Sequence, residues 1–190
     1  GQAAGQPAVV VLLAVATDLE GAQVAVADLS RASAEDTVAR IAADGGRSFA
    51  IAADVTREAD VIRMIDEAHH GMGGLDGMVL NIGTFGKTGL DNVSAEEWNR
   101  IYDVNVRGPM LCCRAALPKF DDGGSIVFIS SIAALKAGSQ MAVYDSSKAA
   151  LGGLMRNIAH GGARRPAGTV QRSACSSSAC SSSACSSPSA

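Results

Sequence analysis

Between residues 21 and 165, short apolar runs rich in β-branched residues alternate with longer stretches whose apolar positions recur every three to four residues. This is the pattern of strands joined by crossover helices. The first clear strand is predicted at residues 23–27, followed by a helix over 32–43 that ends at Gly45 and Gly46, and a strand over 48–52. Thr56 is placed to cap a second helix with Val61, Ile62, Ile65 and Ala68 on one face, ending near Gly71. Residues 77–80 form the next buried strand and lead into a glycine-rich loop. Ser94 and Glu97 make a capping box for a helix carrying Trp98, Ile101 and Tyr102 on one side. A helical segment at 109–117, a strand at 124–130 and a long helix at 143–159 complete the series. The order β-α-β-α-β-α-α-β-α predicts an α/β protein, a Rossmann-like doubly wound parallel sheet with helices on both faces and ligands at the carboxyl ends of its strands.

The longest uncharged apolar run, residues 8–16, fits this series poorly. Its nine residues fall short of the roughly 20 that a membrane-spanning helix needs. Residues 1–7 hold no Lys or Arg, which argues against a secretory leader. As a strand it leaves only residues 17–22 before the next one, and a parallel crossover needs a dozen or more. It is therefore expected to be a helix with Pro7 at its first position and Gly21 just past its end, with Val9 to Val15 inserted as a strand the alternative.

Composition narrows the picture. The 190 residues suffice for one domain, and 16 Lys+Arg against 19 Asp+Glu give a net charge of -3, without the basic field that holds a nucleic acid. The expected domain covers 1–165, followed by a disordered tail over 166–190. Within that tail a five-residue Ala-Cys-Ser-Ser-Ser repeat carries Cys175, Cys180 and Cys185 without any charge after Arg172. Cys112 and Cys113 are adjacent in an apolar stretch and read as small buried hydrophobes rather than as a disulfide framework. A cytoplasmic protein with neither a membrane nor a nucleic-acid partner is the expectation.

Tyr144 and Lys148 stand four residues apart on one predicted helix, so they share a face. A phenol is a poor acid or base near neutrality, and a neighbouring ammonium favours the phenolate by roughly 3 kcal/mol at ~5 Å and an effective dielectric of ~20. Ser131 directly follows a predicted strand, where its hydroxyl can hold a substrate carbonyl. Phe85, Leu135 and Met141 suggest an apolar pocket wall. Gly86-Lys87-Thr88 has a P-loop ending, but Asn81 stands where the first glycine belongs. His69 and His70 close a helix as polar caps and have no third ligand at metal-site spacing, so no metal is expected.

Taken together, Tyr144-Asp145-Ser146-Ser147-Lys148, Ser131 thirteen positions before the tyrosine, and Asn105 in Asp103-Val104-Asn105-Val106 resemble the short-chain dehydrogenase/reductase family. Leu80-Asn81-Ile82-Gly83 is similar to that family's Asn-Asn-Ala-Gly turn, and Ala53-Asp54-Val55 to its adenine-contacting strand end. The resemblance spans residues 21–165 and implies an oxidoreductase passing a hydride between a nicotinamide cofactor and a secondary alcohol or ketone. It implies Tyr144 as general acid/base, Lys148 as its activator and ribose ligand, Ser131 as the group polarising the substrate oxygen, and Asn105 as the holder of a relay water. For the cofactor it implies Asp28, Asp54, Val55, Asn81, Gly83, Tyr144 and Lys148. Asp28, ending a strand, suits the ribose hydroxyls of NAD and repels a 2′-phosphate, with NADP the alternative because Arg31 is close by. A homodimer or homotetramer through the helices near 109–118 and 143–160 is implied as well.

Two departures qualify the resemblance. The family's Thr-Gly-x-x-x-Gly-x-Gly loop should place glycines near Ala4, Ala8 and Val10, and none is there. After Arg165 the family continues with a strand, a Pro-Gly turn and a substrate loop, which the Cys/Ser repeat replaces. The first strand and the C-terminal strands are accordingly expected to be degraded or missing, as a shifted reading frame or a decayed gene copy would leave them. A non-catalytic remnant that cannot bind the cofactor, surviving as an oligomerisation partner, is the competing expectation.

Overall fold

The computed structural model describes residues 8–17, 21–86, 89–120, 124–136, 140–162 and 169–170. Its strands are β1 (Ala8–Thr17), β2 (Gly21–Asp28), β3 (Arg47–Ala52), β4 (Gly77–Gly83), β5 (Ser125–Phe128) and β6 (Thr169–Val170). Its α-helices are α1 (Arg31–Ala43), α2 (Glu58–Met72), α3 (Ala95–Tyr102), α4 (Gly108–Ala116) and α5 (Ala142–Gly162). One sheet has the order β3-β2-β1-β4-β5-β6. The pairs β2–β3, β4–β5 and β5–β6 are parallel, as a βαβ series requires.

Right-handed crossovers put α1 on one face of this sheet and α2, α4 and α5 on the other. The pleat follows that division. Met78, Leu80 and Ile82 of β4 and Ile126 and Phe128 of β5 are buried in one core with Met64 and Ile65 of α2, Leu111 and Cys112 of α4, and Leu151 of α5. Each such side chain, fully removed from water, contributes about 1.5–3 kcal/mol. The alternate residues Val79, Asn81 and Val127 are less buried.

The apolar run expected as a helix is a strand. β1 runs antiparallel to both neighbours, with Val11 opposite Ala27 on one side and Leu80 on the other. The dozen-residue rule binds only parallel strands, and three residues, 18–20, link β1 to an antiparallel β2. Without β1, the facing edges of β2 and β4 would leave a row of backbone N–H and C=O groups unpaired in the middle of the sheet. That requirement, with Val9, Val10, Val11 and Val15 favouring extended backbone, outweighs the capping signals of Pro7 and Gly21. The sheet is thus mixed, and a reversed strand fills the slot where no parallel first strand exists.

Other boundaries shift for local reasons. Thr56 is not the cap of α2: its hydroxyl donates to Asp54 Oδ1 at 2.7 Å, and Arg57 takes the cap position. Ile62 lies off the buried face, 47% exposed, while Met64 and Met72 join Val61, Ile65 and Ala68 in the core. Gly73, with φ 77°, ends α2 in the left-handed conformation that glycine adopts without strain. Ser94 caps α3 as expected, its Oγ accepting from Glu97 N at 3.1 Å. Thr169 and Val170, within the stretch read as tail, extend the sheet beside Ser125 and Ile126. The Cys/Ser repeat and residues 1–7 lie outside the described residues. Among the described residues no helix is long and apolar enough to cross a membrane, and no cluster of three metal-ligating side chains occurs.

Candidate active site

Tyr144 and Lys148 lie one turn apart in the first half of α5, and the ammonium stands 6.0 Å from the centroid of the phenol ring. The lysine is 5% exposed. Its Nζ donates to the carbonyl of Ile82 at 2.8 Å and to that of Ile129 at 3.2 Å, bridging the carboxyl ends of β4 and β5. Burial pulls the Lys148 pKa down to about 8. The close approach depends on Gly83, where an added Cβ would sit 3.2 Å from Nζ.

Ser131 follows β5, half-buried, and its Oγ accepts from Ala133 N at 3.2 Å to cap the 3-10 turn Ile132–Ala134. That turn packs against α5. Ser130 adds a tie, its hydroxyl donating to the carbonyl of Lys148 at 3.0 Å.

Asn105 sits in a π-helical turn, Asp103–Arg107, inserted between α3 and α4, and is fully buried. Such insertions recur at functional sites because the wider turn re-aims a side chain. Its Oδ1 accepts from Thr84 N at 2.7 Å, while Nδ2 donates to the Thr84 carbonyl at 2.8 Å and to Ser147 Oγ at 2.9 Å. Both amide hydrogens are therefore spent on protein atoms. Ser147 in turn donates to the carbonyl of Tyr144 at 2.7 Å. The chain Thr84–Asn105–Ser147–Tyr144 locks the loop after β4 to the helix bearing Tyr144 and Lys148. Arg100 extends it, donating to Thr84 Oγ1 at 2.9 Å and to the Phe85 carbonyl at 3.2 Å.

Thr84, Ser147 and Arg100 escape a reading of the sequence. Ser147 carries a faint signal, a small polar residue beside Lys148 on the buried side of a helix. Thr84 and Arg100 carry none, because their partners lie 15 to 21 residues away.

The remaining expected residues occupy the carboxyl edge. Asp28 ends β2, 6% exposed, and accepts from Ser30 N at 2.8 Å; burial raises its carboxyl above the usual range. Asp54 Oδ1 is engaged by Thr56, from N at 2.9 Å and from Oγ1 at 2.7 Å. Val55 is buried against the backbone of Gly108, whose added Cβ would meet it at 3.0 Å. Asn81 is exposed on β4, opposite Val10 of β1. Beside Tyr144 a shallow crevice is lined by Gly86, Glu97, Ile101, Met141 and Val143. Phe85 and Leu135, 54% and 88% exposed, stand on loops of the same edge. A larger open groove along α2, lined by Ile62, Arg63, Asp66 and His70, has no buried acid–base pair, so the candidate site is the one around Tyr144.

A dinucleotide fits this edge at its two ends. Asp28 can accept from the adenosine ribose, and the third Nζ hydrogen of Lys148 remains for a second ribose. Among the described residues no helix follows β1 directly, the position at which a Rossmann fold holds a pyrophosphate; the next element is the antiparallel β2.

A family profile described as enoyl-(acyl carrier protein) reductase matches residues 11–166. The 2-(S)-hydroxypropyl-CoM dehydrogenase 3 of Xanthobacter autotrophicus is 37% identical over 142 residues, 74% of this chain and 56% of that protein. A hydroxynaphthalene reductase-like protein of Metarhizium guizhouense is 37% identical over 66% of this chain and 48% of its own length. The chain thus spans about half the length of the curated relatives it matches. A dehydrogenase/reductase from Sinorhizobium meliloti superposes with a TM-score of 0.73 at 31% identity, over 78% of this chain and 59% of the other. A structure from Burkholderia phymatum in complex with NAD has the same fold, with a TM-score of 0.73 at 24% identity, over 78% of this chain and 54% of its own.

Proposed function

Because the chain belongs to the short-chain dehydrogenase/reductase family, we propose that its site serves an oxidoreductase interconverting a secondary alcohol and a ketone. The observation that carries this reading is the buried Lys148 ammonium, anchored between the ends of β4 and β5 and 6.0 Å from the Tyr144 ring. Tyr144 takes the hydroxyl proton of an alcohol and returns it to a ketone. Lys148 sets its ammonium beside the Tyr144 ring, and Ser131 donates to the substrate oxygen. Asn105, fully buried with both amide hydrogens engaged, positions Tyr144 through Ser147 and does not present its side chain to a relay water. When bound between Asp28 and Lys148, a nicotinamide coenzyme would supply or accept the hydride. Asp28 selects NAD over NADP, since a 2′-phosphate would face its carboxylate.

Replacing Tyr144 with Phe should cut turnover by roughly 10²–10⁴-fold, the usual worth of a positioned acid/base. Full turnover by that variant would refute the assignment. Asp28→Ala should shift the NAD/NADP preference toward NADP, and an unchanged preference would remove Asp28 from the coenzyme site. The family membership suggests a homodimer or homotetramer through α4 and α5, which light scattering tests.

The reversed β1 favours a second reading, a non-catalytic remnant. An NADH fluorescence titration, with NADPH as comparison, separates the two: a folded protein without saturable binding is the remnant.

A further inference from the structure

β4 ends at Gly83, paired with Ala8 of β1. Beyond it the backbone of Thr84 and Phe85 has left the ladder, and its polar groups need other partners. Asn105 meets the N–H and the carbonyl of Thr84 at 2.7 and 2.8 Å. Arg100 of α3 donates from its two terminal nitrogens, to Thr84 Oγ1 at 2.9 Å and to the Phe85 carbonyl at 3.2 Å. A planar guanidinium holds two acceptors in a fixed relation that an ammonium does not reproduce. Thr84 is 3% exposed, so that end of the clamp lies out of water, where a charge-assisted hydrogen bond is strong. The next residue is where this loop meets the site. Gly86 has no room for a side chain, because an added Cβ would overlap the Glu97 carboxylate and stand 3.1 Å from Ile101 Cδ1. Glu97, Arg100 and Ile101 thus bring one stretch of α3 onto residues 84–86, and Gly86, Glu97 and Ile101 line the crevice beside Tyr144. Phe85, between two held residues, keeps half its surface in water at this edge.

We infer that Arg100 is a positioning residue for the substrate: it fixes Phe85 and Gly86 as the wall beside Tyr144, and that wall selects a ketone with an apolar arm over a small one. The inference rests on the oxidoreductase reading above. Arg100 acts through the loop and not on the reacting oxygen, so its loss removes binding that ground state and transition state share. The KM should therefore rise while the chemical step is spared.

Hydrogen exchange read by mass spectrometry and steady-state reduction of acetophenone and acetone with NADH, both on the full chain, test it. In Arg100→Ala, exchange in the peptide carrying residues 82–86 should quicken by about tenfold or more, as in a loop that opens locally once its clamp is gone. The acetophenone KM should rise about tenfold with kcat within about threefold of the native value, and the acetone KM should move less. Thr84→Val keeps the backbone groups that Asn105 holds and should reproduce part of the effect, and the double variant should fall short of the sum, since the two side chains share one contact. Unchanged exchange over 82–86, an equal loss of kcat for both ketones, or additive effects of the two substitutions would overturn the inference and leave the oxidoreductase reading standing. Acetophenone turned over no better than acetone by a protein that binds NADH would overturn the substrate class. A cooperatively melting native protein without saturable NADH binding would overturn the oxidoreductase reading and the role of Arg100 together.

Discussion

The side-chain amide of Asn105 donates to Ser147 Oγ at 2.9 Å, joining the π-helical turn after α3 to the helix that carries Tyr144 and Lys148. The contact spans 42 residues of sequence and is wholly buried, so the acid/base pair is aligned from outside its own helix.

Asn105→Ala should destabilise the fold by about 2–4 kcal/mol, because the Thr84 N–H and carbonyl lose their buried partner together. Ser147→Ala removes only the link to α5 and should cost about 1–2 kcal/mol. Urea unfolding of both variants checks the ranking, and equal costs would mean that the loop after β4 does not depend on Asn105.

Lys148 should make stability rise with pH. Its pKa is lowered from 10.5 to about 8 by burial, so between those values the unfolded chain holds a proton that the folded chain has lost. The Lys148 contribution then increases from pH 8 toward pH 10.5, by on the order of 3 kcal/mol at 1.36 kcal/mol per unit, and is flat below pH 8. Above pH 9 the buried Cys112 and Cys113 thiols act in the opposite sense, so the Lys148 share is read as the difference between the native protein and Lys148→Met, which should widen with pH. The measurement is denaturant unfolding at pH 7, 8, 9 and 10, and a parallel rise in the variant would assign it elsewhere.

The direction of β1 can be read chemically. Ala14 lies opposite Gly77 in the antiparallel register, within the Cα separation a disulfide can bridge. In a background with Cys175, Cys180 and Cys185 changed to serine, Ala14→Cys with Gly77→Cys should oxidise to one intramolecular disulfide. Val9→Cys with Gly77→Cys should not. The reverse result, read by mass spectrometry of proteolytic peptides, would mean that β1 runs the other way.

Cys112 and Cys113 should resist thiol reagents in the native protein. Both are buried, and burial pushes the Cys112 thiol up to about 12 and Cys113 higher still, leaving almost no thiolate. Peptide mapping after iodoacetamide should find them modified only once denaturant is added. Rapid native labelling would mean that α4 is not packed as described.

Periodicity and turn chemistry are local properties, which is why the parallel strands, their crossover helices, the Ser94 helix cap and the four-residue spacing of Tyr144 and Lys148 were legible in the sequence. So was the absence of a glycine loop near Ala4, Ala8 and Val10. Three things were not legible, two of them because the partners lie far away along the chain. Residues 8–17 are strand formers flanked by the helix signals Pro7 and Gly21; the open edges of β2 and β4, both needing hydrogen bonds, decide for a strand, and the three-residue link to β2 fixes its direction. Thr56 has the chemistry of a helix cap, yet Asp54 claims its hydroxyl. Asn105 and Ser147 meet only because the sheet brings the loop after β4 under α5, and a buried amide without those partners would cost more than any local preference repays.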